Sequence, residues 1–109
     1  MALRIHTTAI EAIHLLRPIV LRLRRYDLSL ANQISRSASS IALNIGEGEH
    51  STAGTRRQRY LTAAGSASET RTALEVAQAW GYITADDCRA VLGHLDHVLA
   101  VLWKLTRAA

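Results

Sequence analysis

Residues that interrupt α-helices are scarce in this sequence, and three breaks divide it into four long segments that are free to be helical. The 109 residues include one proline and six glycines. Between the breaks, apolar residues recur every three or four positions, which is the period of a helix face. Alanine, leucine and arginine, which favour helices, are abundant, whereas the chain has two tryptophans, three tyrosines and no phenylalanine for strands.

The first predicted helix runs from about Thr8 to Arg25. Thr8 and Glu11 have the spacing of a capping box, in which each side chain bonds the backbone N–H of the other residue. Pro18 lacks an N–H, and we expect it to bend this helix rather than end it. Apolar residues cover more of this helix than a single core face needs.

The second predicted helix opens at Asp27, which is suited to the N-cap, and runs to about Glu47. Its apolar stripe is rich in small residues, so that a neighbouring helix can approach closely. Gly46, Gly48 and Gly54 follow. Because glycine adopts the left-handed conformation that ends helices, we expect the segment 46–54 to end the second helix.

The third predicted helix begins at Thr55, which has the capping-box spacing with Gln58, and continues to Trp80. Gly81 fits the position that follows a helix C-terminus. The fourth helix begins at Thr84, and acidic residues in its first turn suit the positive end of the helix dipole.

Four helices joined by short turns predict an all-α fold, an antiparallel up-down four-helix bundle formed by residues 1–109 as one domain. No apolar run is long enough to cross a membrane and no secretory pattern opens the chain, so we expect a cytoplasmic protein without a membrane partner. The apolar excess on the first and fourth helices predicts a homo-oligomer, because exposed patches of this kind mark interfaces.

Motifs for metal binding or catalysis are missing. His94 and His97 share one helix face but have no third ligand at a suitable spacing, so we interpret them as half-exposed or interface residues. Five residues separate Gly48 from Gly54 and no lysine follows, which excludes a phosphate-binding P-loop. The single cysteine, Cys88, lies on an apolar stripe and is expected to be buried. We therefore predict no metal, no cofactor and no enzymatic activity.

Positive charge is the clearest functional signal, since the net charge is +4 and arginine supplies nearly all of it. One group of arginines closes the first helix, where the helix dipole favours cations. A second group crowds the first turn of the third helix, where the dipole disfavours cations but free backbone N–H groups attract anions. The two groups are Arg22, Arg24 and Arg25, and Arg56, Arg57 and Arg59.

The second group is a candidate anion site, although Glu47 and Glu49 are close enough in sequence to neutralise it. Asn44, Glu47, Glu69 and Arg71 are polar residues near or within apolar-periodic segments. A general acid/base pair is conceivable here, but a buried polar network between the second and third helices is the better interpretation, because buried polar groups must be paired.

The segment 33–48 reads Gln-Ile-Ser-Arg-Ser-Ala-Ser-Ser-Ile-Ala-Leu-Asn-Ile-Gly-Glu-Gly. It resembles the Gln-x-x-Arg-Ala-x-x-Ser-Ile-x-x-Asn-Ile-Ala-Glu-Gly motif of the four-helix-bundle proteins encoded in intervening sequences of bacterial 23S ribosomal RNA genes. The Gly65-Ser66-x-x-Glu69 segment is similar to a second motif of that family, with Ala64 where arginine is usual.

This resemblance implies a ring-shaped homopentamer. A related bundle, the accessory variability protein of diversity-generating retroelements, is basic and binds nucleic acid and a reverse transcriptase, whereas the stand-alone members have no established activity. The residues that match the family motifs are expected to link the second and third helices. They are Asn44, Glu47, Gly48, Ser66 and Glu69.

Two functional hypotheses follow. The first is a non-catalytic, ring-forming helical scaffold that binds RNA or DNA through its arginine-rich surface. The second is a purely structural or protein-interaction oligomer, with copies of itself or an unidentified protein as partner and no role in nucleic-acid binding.

Overall fold

Four α-helices and no strand make up the part of the chain that the computed structural model describes, residues 2–107, with side chains from residue 4 onward. Met1, Ala108 and Ala109 of the predicted domain lie outside the described residues. The predicted all-α class is confirmed. The helices are α1 (Ala2–Leu23), α2 (Leu28–Glu49), α3 (Ala53–Ala79) and α4 (Ala85–Arg107).

The predicted start of the first helix at Thr8 is wrong. The α1 helix is already formed at Ala2, and the Thr8 hydroxyl donates a hydrogen bond to the carbonyl of Arg4 from within the helix. A threonine inside a helix can bond the carbonyl four residues earlier, so the capping-box spacing with Glu11 was misleading. The helix continues through Pro18 to Leu23, which agrees with the expectation that proline does not end it.

The α2 helix begins as predicted, because Asp27 is its N-cap and accepts a hydrogen bond from the Leu30 N–H (2.9 Å). The helix ends within the segment 46–54, as predicted, but the expectation that a glycine in the left-handed conformation ends it is wrong. The helix passes through Gly46 and Gly48 in regular geometry and ends at Glu49, with His50 as C-cap. Among the described residues, neither glycine has a positive φ.

The predicted Thr55 cap of α3 is also wrong, because the helix begins at Ala53 with Thr52 as an N-cap whose side chain makes no capping bond. The C-terminus of α3 agrees with the prediction. Gly81 has a φ of +80° and its N–H bonds the carbonyl of Gln78, while the N–H of Tyr82 reaches that of Ala77. These two bonds form a Schellman motif.

The α4 helix is capped at its start by a reciprocal pair of hydrogen bonds. The Thr84 N–H donates to the Asp87 carboxylate (2.9 Å), and the Asp87 N–H donates to the Thr84 hydroxyl (3.2 Å). This is a capping box with aspartate in place of glutamate. The predicted start at Thr84 is therefore confirmed.

Each helix packs against the next in sequence, α1 also packs against α4, and the α2–α3 contact is the most extensive. Bulky aliphatic side chains, such as Ile5, Leu95 and Leu102, are buried on α1 and α4. The buried side chains of α3 are mostly alanine, including Ala63, Ala64 and Ala67. Small residues let α2 and α3 approach each other closely.

Candidate nucleic-acid interface

A ladder of short polar side chains joins α2 to α3. Ser37 and Thr70 share a buried hydrogen bond of 2.7 Å. One turn further along, the Ser66 hydroxyl donates to Ser40 (2.8 Å), which also accepts from the Asn44 amide (3.1 Å). The motif residues Asn44 and Ser66 thus meet through Ser40. A buried hydroxyl needs such a partner, so the ladder fixes the register of the two helices.

Gly48, the last glycine of the motif, lies against the aromatic ring of Tyr60 on α3. A Cβ atom at position 48 would be 2.5 Å from Tyr60 Cε1 and 2.8 Å from Cδ1. The Tyr60 side chain is buried, and burial raises the pKa of its hydroxyl. Gly48 is therefore required for close packing of the ring and not for ending the helix.

The expectation that Glu47, Glu69 and Arg71 are buried is wrong, since all three are exposed. Glu47 forms an ion pair with Arg59 (3.0 Å), which links α2 to α3 at the surface. Such exposed pairs contribute at most about 1 kcal/mol. The polar network between these helices consists instead of the shorter side chains Ser37, Ser40 and Thr70 and the motif residues that join them.

Arg56 and Arg57 each donate to the end of a neighbouring helix. Arg56 Nε bonds the carbonyl of Gly48 (3.1 Å) and its Nη2 bonds that of Ser51 (3.1 Å). Arg57 Nε bonds the carbonyl of Thr106 at the end of α4 (3.0 Å). The dipole of α3 disfavours these cations, but the negative C-termini of α2 and α4 attract them, which explains why arginines gather at this helix start.

Arg56, Arg57 and Arg59 remain exposed, and each uses only part of its guanidinium group for bonds within the chain. Arg57 bonds through Nε alone, and its two terminal nitrogens have no partner among the described residues. Nη1 of Arg56 and Nη2 of Arg59 likewise have no partner among the described residues. The cluster can therefore bind an anion without releasing its intramolecular contacts.

The start of α1, residues 47–59 and the end of α4 together form the basic end of the bundle. His6 beside Gly46, and Arg57 beside Thr106, bring these segments together. Six of the 13 basic residues lie here but only two of the nine acidic ones, so this end carries a charge of +4 and the rest of the chain is balanced. The basic residues are Arg4, Arg56, Arg57, Arg59, Lys104 and Arg107, and the acidic ones Glu47 and Glu49.

The other predicted arginine group lies at the opposite end of α4. Arg22 forms an ion pair with Asp87 in the first turn of α4 (2.7 Å), whereas Arg24 and Arg25 are exposed in the turn that follows α1. Since α4 has 23 residues, its two ends are separated by about 35 Å. The structure therefore does not bring the two predicted arginine groups together.

Three aromatic rings at this second end were not predicted as a group. Tyr26 stacks on Tyr82 with centroids 5.3 Å apart, and Trp80 stacks on Tyr82 at 6.3 Å. The turns 24–27 and 80–84, which carry these rings, form the aromatic end of the bundle. The sequence did hold a signal, since aromatic residues flank two of its three breaks. Nothing local showed that the two turns would meet.

A carboxylate at the aromatic end is stabilised in its charged form. The backbone N–H of Thr84 lowers the pKa of Asp87 most, and the Thr84 side chain and Arg22 lower it further. Asp27 and Asp86 are also engaged, with the Leu30 N–H and with Arg89 respectively.

The groups considered for metal binding or nucleophilic chemistry do not form a site. Among the described residues, no three histidine, cysteine or acidic side chains lie close enough to hold a metal ion. His94 Nδ1 is 3.0 Å from the carbonyl of Ala90, and its Nε2 is 4.0 Å from Glu11. Cys88 is buried as expected, and burial raises the pKa of its thiol, which opposes nucleophilic reactivity.

Apolar side chains remain on the outside of the bundle. A groove of about 340 Å³ between α1 and α2 is lined by Ile13, Val20, Leu21 and Ala38, among others. Leu21 is 57% exposed and Leu43, further along α2, is 64% exposed. Exposed apolar side chains grouped in this way are typical of interaction sites. Within residues 2–107, no helix is long and apolar enough to cross a membrane.

The fold has a close counterpart among solved structures. A crystal structure of a protein of unknown function from the S23 ribosomal protein family of Bacteroides thetaiotaomicron superposes with a TM-score of 0.87, covering 95% of this chain and 99% of that one. The two sequences are 21% identical, so the similarity establishes the fold alone. A search of curated proteins finds no match to this chain.

The sequence itself matches the model of a protein family, described as the 23S rRNA-intervening sequence protein, over residues 7–104. The match includes all of α2 and α3 with the motif residues at their contact, and most of α1 and α4. The chain belongs to the family of 23S rRNA-intervening sequence proteins.

Proposed function

We propose that this protein is a cytoplasmic, non-catalytic helical scaffold that associates with copies of itself and binds the phosphate backbone of nucleic acid at its basic end. The observation that carries this proposal is the uneven charge distribution. The whole net charge of +4 lies at one end of the bundle. A concentrated positive surface attracts polyanions through release of their counterions.

The arginines of this end are suited to phosphate because their positions are fixed before any ligand binds. Arg56 and Arg57 are oriented by carbonyls at the ends of α2 and α4, so they lose little side-chain freedom on binding. Their remaining N–H groups match the geometry of phosphate oxygens. Backbone contacts of this kind position a nucleic acid without reading its sequence.

The proposal requires that α3 begins where α2 and α4 end, as it does in an antiparallel up-down bundle. Three contacts support that order. Arg57 at the start of α3 reaches Thr106 at the end of α4, Arg56 reaches Gly48 at the end of α2, and Arg22 at the end of α1 reaches the start of α4.

Self-association is supported by the apolar groove between α1 and α2 and by the exposed leucines Leu21 and Leu43. The family resemblance suggests a pentameric ring. A ring would repeat the basic end in every copy, and repeated weak phosphate contacts would act together at high effective concentration.

Binding is tested with a variant that removes charge and keeps the helix caps. Arg59, Lys104 and Arg107 are changed together to glutamine, while Arg56 and Arg57 remain. Fluorescence anisotropy with a labelled RNA and a DNA duplex, across a salt series starting at about 50 mM, measures affinity and its salt dependence. We expect weaker binding and a smaller salt slope than in the wild type.

The matched control changes Arg17, Arg36 and Arg89 to glutamine, which removes the same charge outside the basic end. If this control loses as much affinity as the first variant, total charge matters and the basic end does not. If the wild type binds neither nucleic acid at about 50 mM salt, the proposal is overturned.

The alternative is a structural or protein-interaction oligomer, which the exposed apolar surface alone would favour. Light scattering coupled to size-exclusion chromatography distinguishes the two parts of the proposal. We expect the mass of an oligomer, and substitution of Leu21 and Leu43 by serine should reduce it. A monomer mass at micromolar concentration would contradict self-association but leave phosphate binding to be judged by anisotropy.

A further inference from the structure

The aromatic end presents flat ring surface to solvent. Trp80 is 68% exposed and Tyr26 is 59% exposed, and both rings lie nearly parallel to that of Tyr82, at 17° and 9°. Neither ring belongs to the hydrophobic core. Stacking between the rings joins the two turns, but it leaves most of the Trp80 indole without a contact in this chain.

The backbone holds these rings in place. The Schellman motif at Gly81 fixes the path of the chain between Trp80 and Tyr82, through the bonds of the Gly81 and Tyr82 N–H groups. On the other turn, the N–H of Tyr26 bonds the carbonyl of Leu23 (2.9 Å). A ring surface that is already ordered loses little entropy when a flat ligand stacks on it.

Positive charge lies beside these rings. Arg24 and Arg25 immediately precede Tyr26 and are exposed, and they form no ion pair within the described part of the chain. The nearby acidic groups are occupied, because Asp27 caps α2 and Asp87 pairs with Thr84 and Arg22. The surface therefore combines an exposed indole with two unneutralised guanidinium groups.

From this combination we infer that the aromatic end is a stacking platform for unpaired bases of single-stranded nucleic acid, with Trp80 as the outer ring and Arg24 and Arg25 on the adjoining phosphates. Bases within a duplex are covered by their neighbours and cannot stack on a protein ring, whereas those of a single strand can. The inference rests on the proposed function, in that the protein binds nucleic acid, and adds a second site that is selective for single strands.

Substitutions of Trp80 separate stacking from mere apolar contact. Trp80→Leu keeps apolar bulk and removes the ring, whereas Trp80→Phe keeps a ring. With a labelled oligothymidylate single strand, we expect Trp80→Leu to lose about fivefold or more in affinity and Trp80→Phe to retain most of it. Neither variant should change the affinity for a DNA duplex. Because Trp80 is largely exposed, thermal melts should show both variants folded.

Two further measurements complete the test. Changing Arg24 and Arg25 to glutamine should weaken single-strand binding and reduce its salt slope. In a Trp103→Phe background Trp80 is the remaining tryptophan of the sequence, and its fluorescence should be quenched by the single strand but not by the duplex.

The outcomes are distinct for the two hypotheses. Equal affinity of Trp80→Leu and wild type for the single strand overturns the stacking platform, even if the basic end binds phosphate. Dependence on Trp80 with no effect of the basic-end variant would support the platform and overturn the basic end. If Trp80→Leu instead reduces the oligomer mass in light scattering, the aromatic end is a contact between copies and the inference is wrong.

Discussion

The two ends of the bundle are held together by different kinds of contact. At the aromatic end, the helices are capped by residues close to them in sequence, namely Asp27, Gly81 and the pair Thr84 and Asp87. At the basic end, no side-chain capping bond is made by Thr52, and the last carbonyls of α2 and α4 accept from arginines of α3. Local bonds also close α2 at the basic end, where the Ser51 hydroxyl donates to the carbonyl of Glu47 (2.6 Å). The ends differ because, among the described residues, arginine side chains add further bonds to helix C-termini only at the basic end.

This difference has a functional consequence. Local caps leave the side chains around them free, so Trp80 and Tyr26 can face solvent at the aromatic end. Caps made by arginine, in contrast, require several cations at one place, and the basic end keeps spare N–H donors after its carbonyls are satisfied. The way in which the basic end is closed thus produces the surface that we propose for phosphate.

The largest predicted effect on stability comes from substituting Gly48 at the basic end. Gly48→Ala would place a Cβ atom 2.5 Å from the buried Tyr60 ring, and overpacking of this kind costs about 1–3 kcal/mol. Urea denaturation gives the change in unfolding free energy. The control is Gly65→Ala, where the added Cβ meets nothing within 4 Å and the helix should gain about 0.5–1 kcal/mol. Equal stability of the two variants would contradict the packing role of Gly48.

Gly81 at the aromatic end is needed for its backbone conformation, whereas Gly48 is needed for the space it leaves. The φ of Gly81 is +80° and the space around it is open, so Gly81→Ala introduces strain without a clash and should cost roughly 1–2 kcal/mol. Asparagine tolerates the left-handed region better, and Gly81→Asn should therefore recover part of the loss in the same urea assay. If asparagine is no better than alanine, the Schellman geometry is not what stabilises this turn.

The same contrast determines what the sequence could predict. The starts of α2 and α4 and the stop at Gly81 follow from neighbouring residues, and the predictions there were correct. At the basic end, the roles of Gly48 and Arg57 depend on Tyr60 and Thr106, which are distant in sequence. The sequence alone does not distinguish a glycine that makes room for an aromatic ring, such as Gly48, from one that ends a helix, such as Gly81, because the ring belongs to a neighbouring helix.

The predicted site shows the same limit. Arginines at the start of α3 were identified by composition and position, but their attachment to the C-termini of α2 and α4 requires the packed bundle. Glu47 and Glu69 lie in apolar-periodic segments and were expected to be buried, yet both face solvent. Periodicity locates a helix face only approximately, and shorter residues such as Ser40 and Ser66 occupy the contact instead.

The N-caps of α2 and α3 allow a direct comparison of the ends with smaller changes. Asp27→Ala removes the bond to the Leu30 N–H and should cost about 1 kcal/mol, the usual value for an N-cap. Thr52 makes no side-chain capping bond, so Thr52→Ala should change stability by at most about 0.5 kcal/mol. Thermal melts of both variants beside the wild type test this. A larger loss for Thr52→Ala would mean that the basic end also depends on a local cap.

The last prediction concerns acid, which should loosen the aromatic end through Asp87. Hydrogen bonds from Thr84, with a smaller contribution from Arg22, hold the pKa of Asp87 below its ordinary value of 3.8. Because the pKa is lower in the folded than in the unfolded state, the charged carboxylate stabilises the fold fully above about pH 5, and this stabilisation is lost as the pH falls below the unfolded value toward the folded one. Asp87→Asn should therefore flatten the acid limb of stability, measured by urea denaturation between about pH 6 and pH 2.

The contribution of Arg22 can be measured separately. In an NMR titration, Arg22→Gln should raise the pKa of Asp87 only part of the way to its ordinary value, since the backbone N–H of Thr84 has the larger effect. Added salt should reproduce part of that shift by screening Arg22, while leaving the hydrogen bonds from Thr84 intact. An acid limb of the same steepness in Asp87→Asn and wild type would show that the local cap at this end does not depend on the charge of Asp87.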